Sequence, residues 1–300
     1  MTDTKNLFEL ELQLPDDGLR ERSTRLVGFE ARYERLQRDL RLLAAPDELR
    51  EWSLRFYDRE LPVVAAVGDR YPLVIFGGDV GTGKTATAEA VCDRLARERK
   101  KDAMLFKLST RVRGEGKVGQ MSTLINQAFE SVVREAGKAR SSFLIIDEAD
   151  SLTATRDDAH SHHEDRVAVN TVIQRVDDLR RHGGRILVFL CTNRAAALDP
   201  AITRRAARVE EFARPDAEER AALLRMDLEG LGISDDVIDE VAELTGPRIT
   251  PARPGFTFSD LRSRLIPEAL GHAFPARALE AEDLIRAARE LAPSPAVSAG

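Results

Sequence analysis

The sequence predicts an α/β protein, a parallel sheet covered on both faces by helices, with a smaller all-helical domain behind it. Three observations predict this. Short apolar runs at Leu73–Phe76, Ala103–Leu108, Phe143–Asp147 and Ile186–Thr192 are each the length of a buried strand. They alternate with amphipathic stretches at Thr85–Arg99, Gly119–Glu135 and Glu164–Arg181, the last placing Val169, Val172, Ile173 and Val176 on one face, an order that calls for a parallel sheet. After Pro215 the strand-like runs stop, and Ala217–Glu229, Asp235–Leu244, Ser259–Leu270 and Ala281–Leu291 read as helices.

In chain order, residues 1–25 are polar and weakly patterned, with a turn at Pro15–Gly18, and are expected to form a flexible N-terminal segment. From Val27 to Glu60 the spacing turns helical: Leu36, Leu40 and Leu43 recur, Pro46 interrupts, and Leu49, Trp52 and Phe56 resume the pattern. Residues 26–214 are assigned to the α/β domain, 215–291 to the helical domain, and 292–300, with Pro293 and Pro295, to a frayed tail. The 300 residues are 43% hydrophobic and 32% charged, a globular balance. Lys and Arg number 45 against 51 Asp and Glu, a net charge of −6, which argues against coating nucleic acid through bulk charge. The longest apolar runs, Leu61–Val67 and Ile186–Cys191, fall short of the roughly 18–20 residues of a membrane span, and Asp3, Lys5 and Glu9 spoil any secretory signal, so a cytoplasmic protein is expected. Cys92 and Cys191 are the only cysteines, too few for a disulfide scaffold or a cysteine zinc site, and read as small core residues. His160, His162 and His163 among acidic neighbours read as a solvated loop rather than a metal site.

Gly78-Asp79-Val80-Gly81-Thr82-Gly83-Lys84-Thr85 matches G-x-x-x-x-G-K-[ST], with an apolar run leading in and a helical pattern leading out. Chance gives this pattern in a chain of this length on the order of one per cent of the time, and the strand–loop–helix context lowers that further. Glycines let backbone N–H groups turn toward phosphates, and the helix N-terminus adds its positive end. Lys84 suits the β- and γ-oxygens, and the Thr85 hydroxyl suits Mg²⁺. Phe143–Ile146 then delivers Asp147 and Glu148 at a strand's carboxyl end, where ligands sit in such sheets. Asp147 is expected on the Mg²⁺ side, and Glu148 as the group that polarises water for attack. Asn193 ends the next run and either holds that water or simply terminates its strand.

This ordered series, with Asp199-Pro200-Ala201-Ile202 and an arginine cluster behind it, resembles the AAA+ ATPases. The resemblance implies a three-layer P-loop sandwich with a helical lid, ATP and Mg²⁺ as cofactors, and a homo-hexameric ring in which one subunit's arginine reaches its neighbour's γ-phosphate. Arg205 and Arg208 match that role, with Arg204 a near alternative; a guanidinium suits it through its permanent charge and multiple donors. Leu26-Val27-Gly28-Phe29 resembles the segment beside the adenine, so Val27 and Gly28 join the site. Arg262, with Arg264 competing, resembles the lid arginine that faces the phosphates.

Arg111–Lys117 follows the second run, where ring remodellers place the loop that lines the pore. Val112, Arg113 and Gly114 stand there without the usual aromatic, either a weak grip or a flexible connection. With Ile145–Leu152 and His163–Leu179, these segments are similar to the pachytene-checkpoint remodellers, the thyroid receptor-interacting protein thirteen family. That resemblance implies an ATPase that remodels a HORMA-domain protein, with bacterial relatives in cyclic-oligonucleotide anti-phage signalling. The alternative is a nucleic-acid-directed AAA+ ATPase of the helicase- or clamp-loader type, favoured only by the basic Arg111–Lys117 segment.

Overall fold

The computed structural model describes residues 7–108, 120–149, 163–249 and 252–296. Val112, Arg113 and Gly114, and the histidine-rich stretch around His160 and His162, lie outside these residues.

Six strands form one sheet in the order β1-β3-β4-β5-β2-β6. They are β1 (Phe8–Leu14), β2 (Leu73–Gly78), β3 (Ala103–Leu108), β4 (Ser141–Ile146), β5 (Ile186–Thr192) and β6 (Arg208–Phe212). The four expected strands are the four central ones, and all pair in parallel. Their residues are buried almost throughout because helices cover both faces. In β2, Leu73 and Ile75 point to one core and Val74 and Phe76 to the other, the period-two alternation of a strand between two layers. The first core is closed by α6 (Gln120–Ala136) and α7 (His163–Leu179). The second is closed by α1 (Asp17–Thr24), α2 (Phe29–Ala44) and α5 (Lys84–Arg99). Cys92 on α5 and Cys191 on β5 are both fully buried in that second core. Between α2 and β2, α3 (Pro46–Tyr57) and α4 (Pro62–Gly68) each start with proline in the first turn, where the lost N–H has no intrahelical partner anyway.

Within the 1–25 segment expected to be flexible, the described residues from Leu7 onward take regular structure. Phe8–Leu14 forms β1, antiparallel to β3, and Phe8 packs its ring 4.9 Å from Phe106. Asp16 then caps α1 by accepting from the Leu19 N–H, and its own N–H donates to Asp93 on α5. Leu14 and Leu19 are buried in the second core, and this burial holds the segment in place.

Beyond β6 lies a third cluster, built by α9 (Ala217–Asp227), α10 (Asp235–Leu244), a helical run of α11 (Phe258–Asp260), a π-turn at Leu261–Leu265 and α12 (Ile266–Ala273), and α13 (Ala281–Glu290). The short helix α8 (Pro200–Thr203) precedes β6. Asp216 and Glu219 form a reciprocal cap that starts α9 straight after Pro215.

Candidate nucleotide site

The sheet order sets the carboxyl ends of β4, β5, β2 and β6 side by side, so the segments bearing Asp147, Asn193, the Gly78–Thr85 loop and Arg214 emerge along one edge. The glycines of the loop are there for reasons of space. Gly78 has φ +146°, and a Cβ on it would land on the Phe212 carbonyl of β6. A Cβ on Gly81 (φ +75°) would lie 2.6 Å from Ser259 Cβ of the lid. The loop is thus pressed between β6 and the lid, and the Ser259 N–H donates to the Gly81 carbonyl at 3.1 Å.

Lys84 opens α5 and is buried; its Nζ donates to the Gly78 and Asp79 carbonyls at 3.0 and 2.7 Å. The Thr85 hydroxyl donates to Asp147 Oδ2 at 2.6 Å, bringing together the two oxygens expected to serve Mg²⁺. Hard oxygen donors suit that ion, and a glycine-walled loop at a helix N-terminus with a buried lysine suits a polyphosphate. The residues therefore fit Mg-ATP.

Glu148 is exposed and held at φ +49°, its N–H bonded to Asp147 Oδ1 and the next N–H, of Ala149, bonded to the Cys191 carbonyl of β5. Strand β4 pairs with β5, so the turn bearing Glu148 and the end of β5 leading to Asn193 are neighbours, as the sequence argument required. Burial, and then the Asp147 charge, pushes the Cys191 thiol well above its ordinary range.

Val27 packs on the lid core, and Gly28 (φ +73°) immediately precedes α2 and faces Glu219 of α9. The arginines are placed differently from one another. Arg205 grips Asp177 of α7 with both arms, at 2.5 and 2.9 Å, and lies over the Tyr71 ring. Arg208 pairs with Glu210 and Asp39. Arg262 is committed to Asp227 at 2.5 and 3.0 Å and to the Arg25 carbonyl, and Arg264 to Asp260. Neither lid arginine is bonded to the phosphate loop.

Arg214 is, and sequence reasoning missed it. Its Nε donates to Asp79 Oδ2 at 2.6 Å and its Nη1 to the Gly255 carbonyl at 2.6 Å. The one signal in the sequence is its place directly before Pro215, at the step from sheet to lid.

The profile of the "ATPase family associated with various cellular activities (AAA)" matches residues 74–214. CD-NTase-associated protein 6 of Escherichia coli strain KTE188 is 52% identical over 291 residues, spanning 97% of each chain. A chain of the E. coli MS115-1 HORMA:CdnC:Trip13 complex superposes with a TM-score of 0.89 at 40% identity, over 99% of both chains. Rhizobiales Trip13 superposes with a TM-score of 0.72 at 34% identity, over 96% of this chain and all of the other.

Proposed function

Since the chain belongs to the CD-NTase-associated protein 6 family of AAA ATPases, we propose that it is a ring-forming, Mg-ATP-driven remodeller of a HORMA-domain protein in bacterial anti-phage signalling. One observation carries the enzymatic part: Lys84, the Thr85–Asp147 pair and the Glu148 turn lie at adjoining strand ends around a glycine-walled loop. The HORMA partner is supported by the near-complete likeness to a chain that sits in a HORMA complex. Among the described residues, no helix is long and apolar enough to cross a membrane, which is compatible with the cytoplasmic setting of this reading.

When bound, Mg-ATP supplies a γ-phosphoryl group open to in-line attack by water. Lys84 leaves the loop carbonyls and, with the N-terminus of α5, neutralises phosphate charge. Thr85 and Asp147 would hold the Mg²⁺. Glu148 orients a water and accepts its proton. Asn193 steadies that water, while Val27 and Gly28 border the adenine at the hinge. Arg205, with Arg208 beside it, acts in the neighbouring subunit's site and must exchange Asp177 for phosphate to do so. Arg262 reaches the nucleotide only by leaving Asp227. The division near Pro215 lets the 215–291 lid move against the 26–214 sheet domain, and that movement drives Val112, Arg113 and Gly114 against the substrate.

The test is ATP turnover by the purified chain with and without a HORMA-domain protein encoded beside it. Mg-dependent turnover that rises with the partner supports the reading. Turnover that rises with DNA instead, and falls steeply with salt, overturns it in favour of the nucleic-acid alternative.

A further inference from the structure

One turn of the lid, at Thr257–Asp260, lies directly against the phosphate loop. A Cβ added to Gly81 would come within 2.8 Å of the Thr257 hydroxyl and 2.6 Å of Ser259 Cβ, and the Ser259 N–H donates to the Gly81 carbonyl at 3.1 Å. In a planar trans peptide the carbonyl of one residue and the N–H of the next point in opposite directions. A lid that holds the Gly81 carbonyl therefore turns the Thr82 N–H away from itself. Loop N–H groups fixed in direction beforehand are what an anion needs.

Asp260 fixes that turn. It is only 1% exposed, and a carboxylate so deep must have its oxygens met by donors. Oδ2 accepts from the Thr257 N–H at 2.9 Å and the Thr257 hydroxyl at 3.0 Å, and Oδ1 accepts from Arg264 Nη1 at 3.0 Å. The other donors come from far along the chain. Ser294, in the 292–300 tail, gives its N–H to both oxygens at 3.2 Å and its hydroxyl to Oδ1 at 2.6 Å. Burial alone would raise the Asp260 carboxyl, but hydrogen bonds from Ser294 and Thr257 outweigh it and hold the group below the ordinary carboxylate range. A path of bonds thus runs from Ser294 to Asp260, into the Thr257–Ser259 turn, and on to Gly81. Without the Ser294 hydroxyl, the buried anion lacks its shortest donor.

We propose that Ser294 is a positioning residue for nucleotide binding: by satisfying Asp260 it holds the Thr257–Asp260 turn against Gly81, so that the loop keeps the backbone direction that receives phosphate. The tail acts as a strap across the lid. This rests on the nucleotide reading above and deepens it.

The experiment is ADP binding by isothermal titration to the full chain and three variants. Ser294→Ala removes the hydroxyl and Ser294→Thr keeps it. Arg277→Gln loosens the lid elsewhere, by breaking the Arg277–Asp283 pair at the start of α13, which has no hydrogen bond to residues 257–260 among the described residues. Ser294→Ala is expected to bind ADP about three- to tenfold more weakly than the parent, and Ser294→Thr within about twofold of it. Arg277→Gln is expected to bind as the parent does, although its melting temperature falls at least as far as that of Ser294→Ala. Equal Kd values for Ser294→Ala and the parent overturn the proposal. So does an equal weakening in Ser294→Ala and Arg277→Gln, which would assign the effect to a lid loosened as a whole. A second readout is amide exchange at Ser259 in the nucleotide-free chain: it should quicken in Ser294→Ala and not in Ser294→Thr, and unchanged exchange in Ser294→Ala again overturns the proposal. Absence of ADP binding by the unaltered chain would sink the nucleotide reading itself, a result distinct from every outcome above.

Discussion

Glu148 shows how tightly the backbone at the end of β4 is held. At φ +49° a side chain other than glycine strains the backbone, by about 1–3 kcal/mol in general, and such strain persists only where neighbours over-determine the turn. Here the two N–H bonds to Asp147 and Cys191 do so. Two substitutions separate shape from chemistry. Glu148→Gln is expected to bind ATP normally while turnover drops by about 10²–10⁴-fold, and turnover within a few-fold of the parent would remove Glu148 as the base. Glu148→Gly is expected to abolish turnover yet leave the nucleotide-free melting temperature equal or higher, since glycine accepts a positive φ without a steric penalty. A melting temperature lower by several degrees would show that the side chain, not the turn, secures the strand end. Lys84 and Thr85 were legible in the sequence because the loop pattern dictates a backbone path, and Asp147 because a buried strand ends on it. Arg214 was not legible, because its position rests on residues 79, 214 and 255 meeting in space, which no spacing records.

At the scale of elements, the central strands could be read because both their faces are buried, which leaves continuous apolar runs. The edge strands obey a different rule. In β1, Phe8, Leu10 and Leu12 alternate with exposed Glu9, Glu11 and Gln13, and β6 carries two glutamates in five residues, so both look polar when read as a run. Yet β1 is anchored in the core, and Leu14→Ala is expected to cost about 2–5 kcal/mol in urea unfolding; a loss under about 0.5 kcal/mol would mean that β1 is only loosely attached. Glu210 of β6 offers a test by pH. Burial alone would raise its carboxyl, but hydrogen bonds from Arg208 and Arg35 outweigh burial and hold it below the ordinary carboxylate range. A folded-state pKa below the unfolded one stabilises the protein above the unfolded value and is lost as pH falls through the folded one. Glu210→Gln should therefore be less stable than the parent at neutral pH, with the gap closing as the pH falls below the ordinary carboxylate range. A gap of constant size across that range would assign the effect to packing instead.

For the whole molecule, the disposition of arginines matters more than their number. In the single chain Arg205 is held by Asp177 and Tyr71, so the service proposed for it at a neighbouring site would require a ring contact that competes with that grip. Mixing two inactive variants tests this: Arg205→Ala supplies an intact Glu148, and Glu148→Gln supplies an intact Arg205. An equal mixture should recover turnover at up to about a quarter of its interfaces, by random pairing around a ring. No recovery, with both variants shown to assemble, would mean that Arg205 acts within its own subunit. The two thiols add a different kind of consequence. Cys92 and Cys191 lie sealed in one core, and burial raises both well out of the reactive range. An alkylating reagent must wait for the interior to come apart, so its uptake is a clock for global opening. A ligand that braces the loop between β2 and α5 should make that clock run slow.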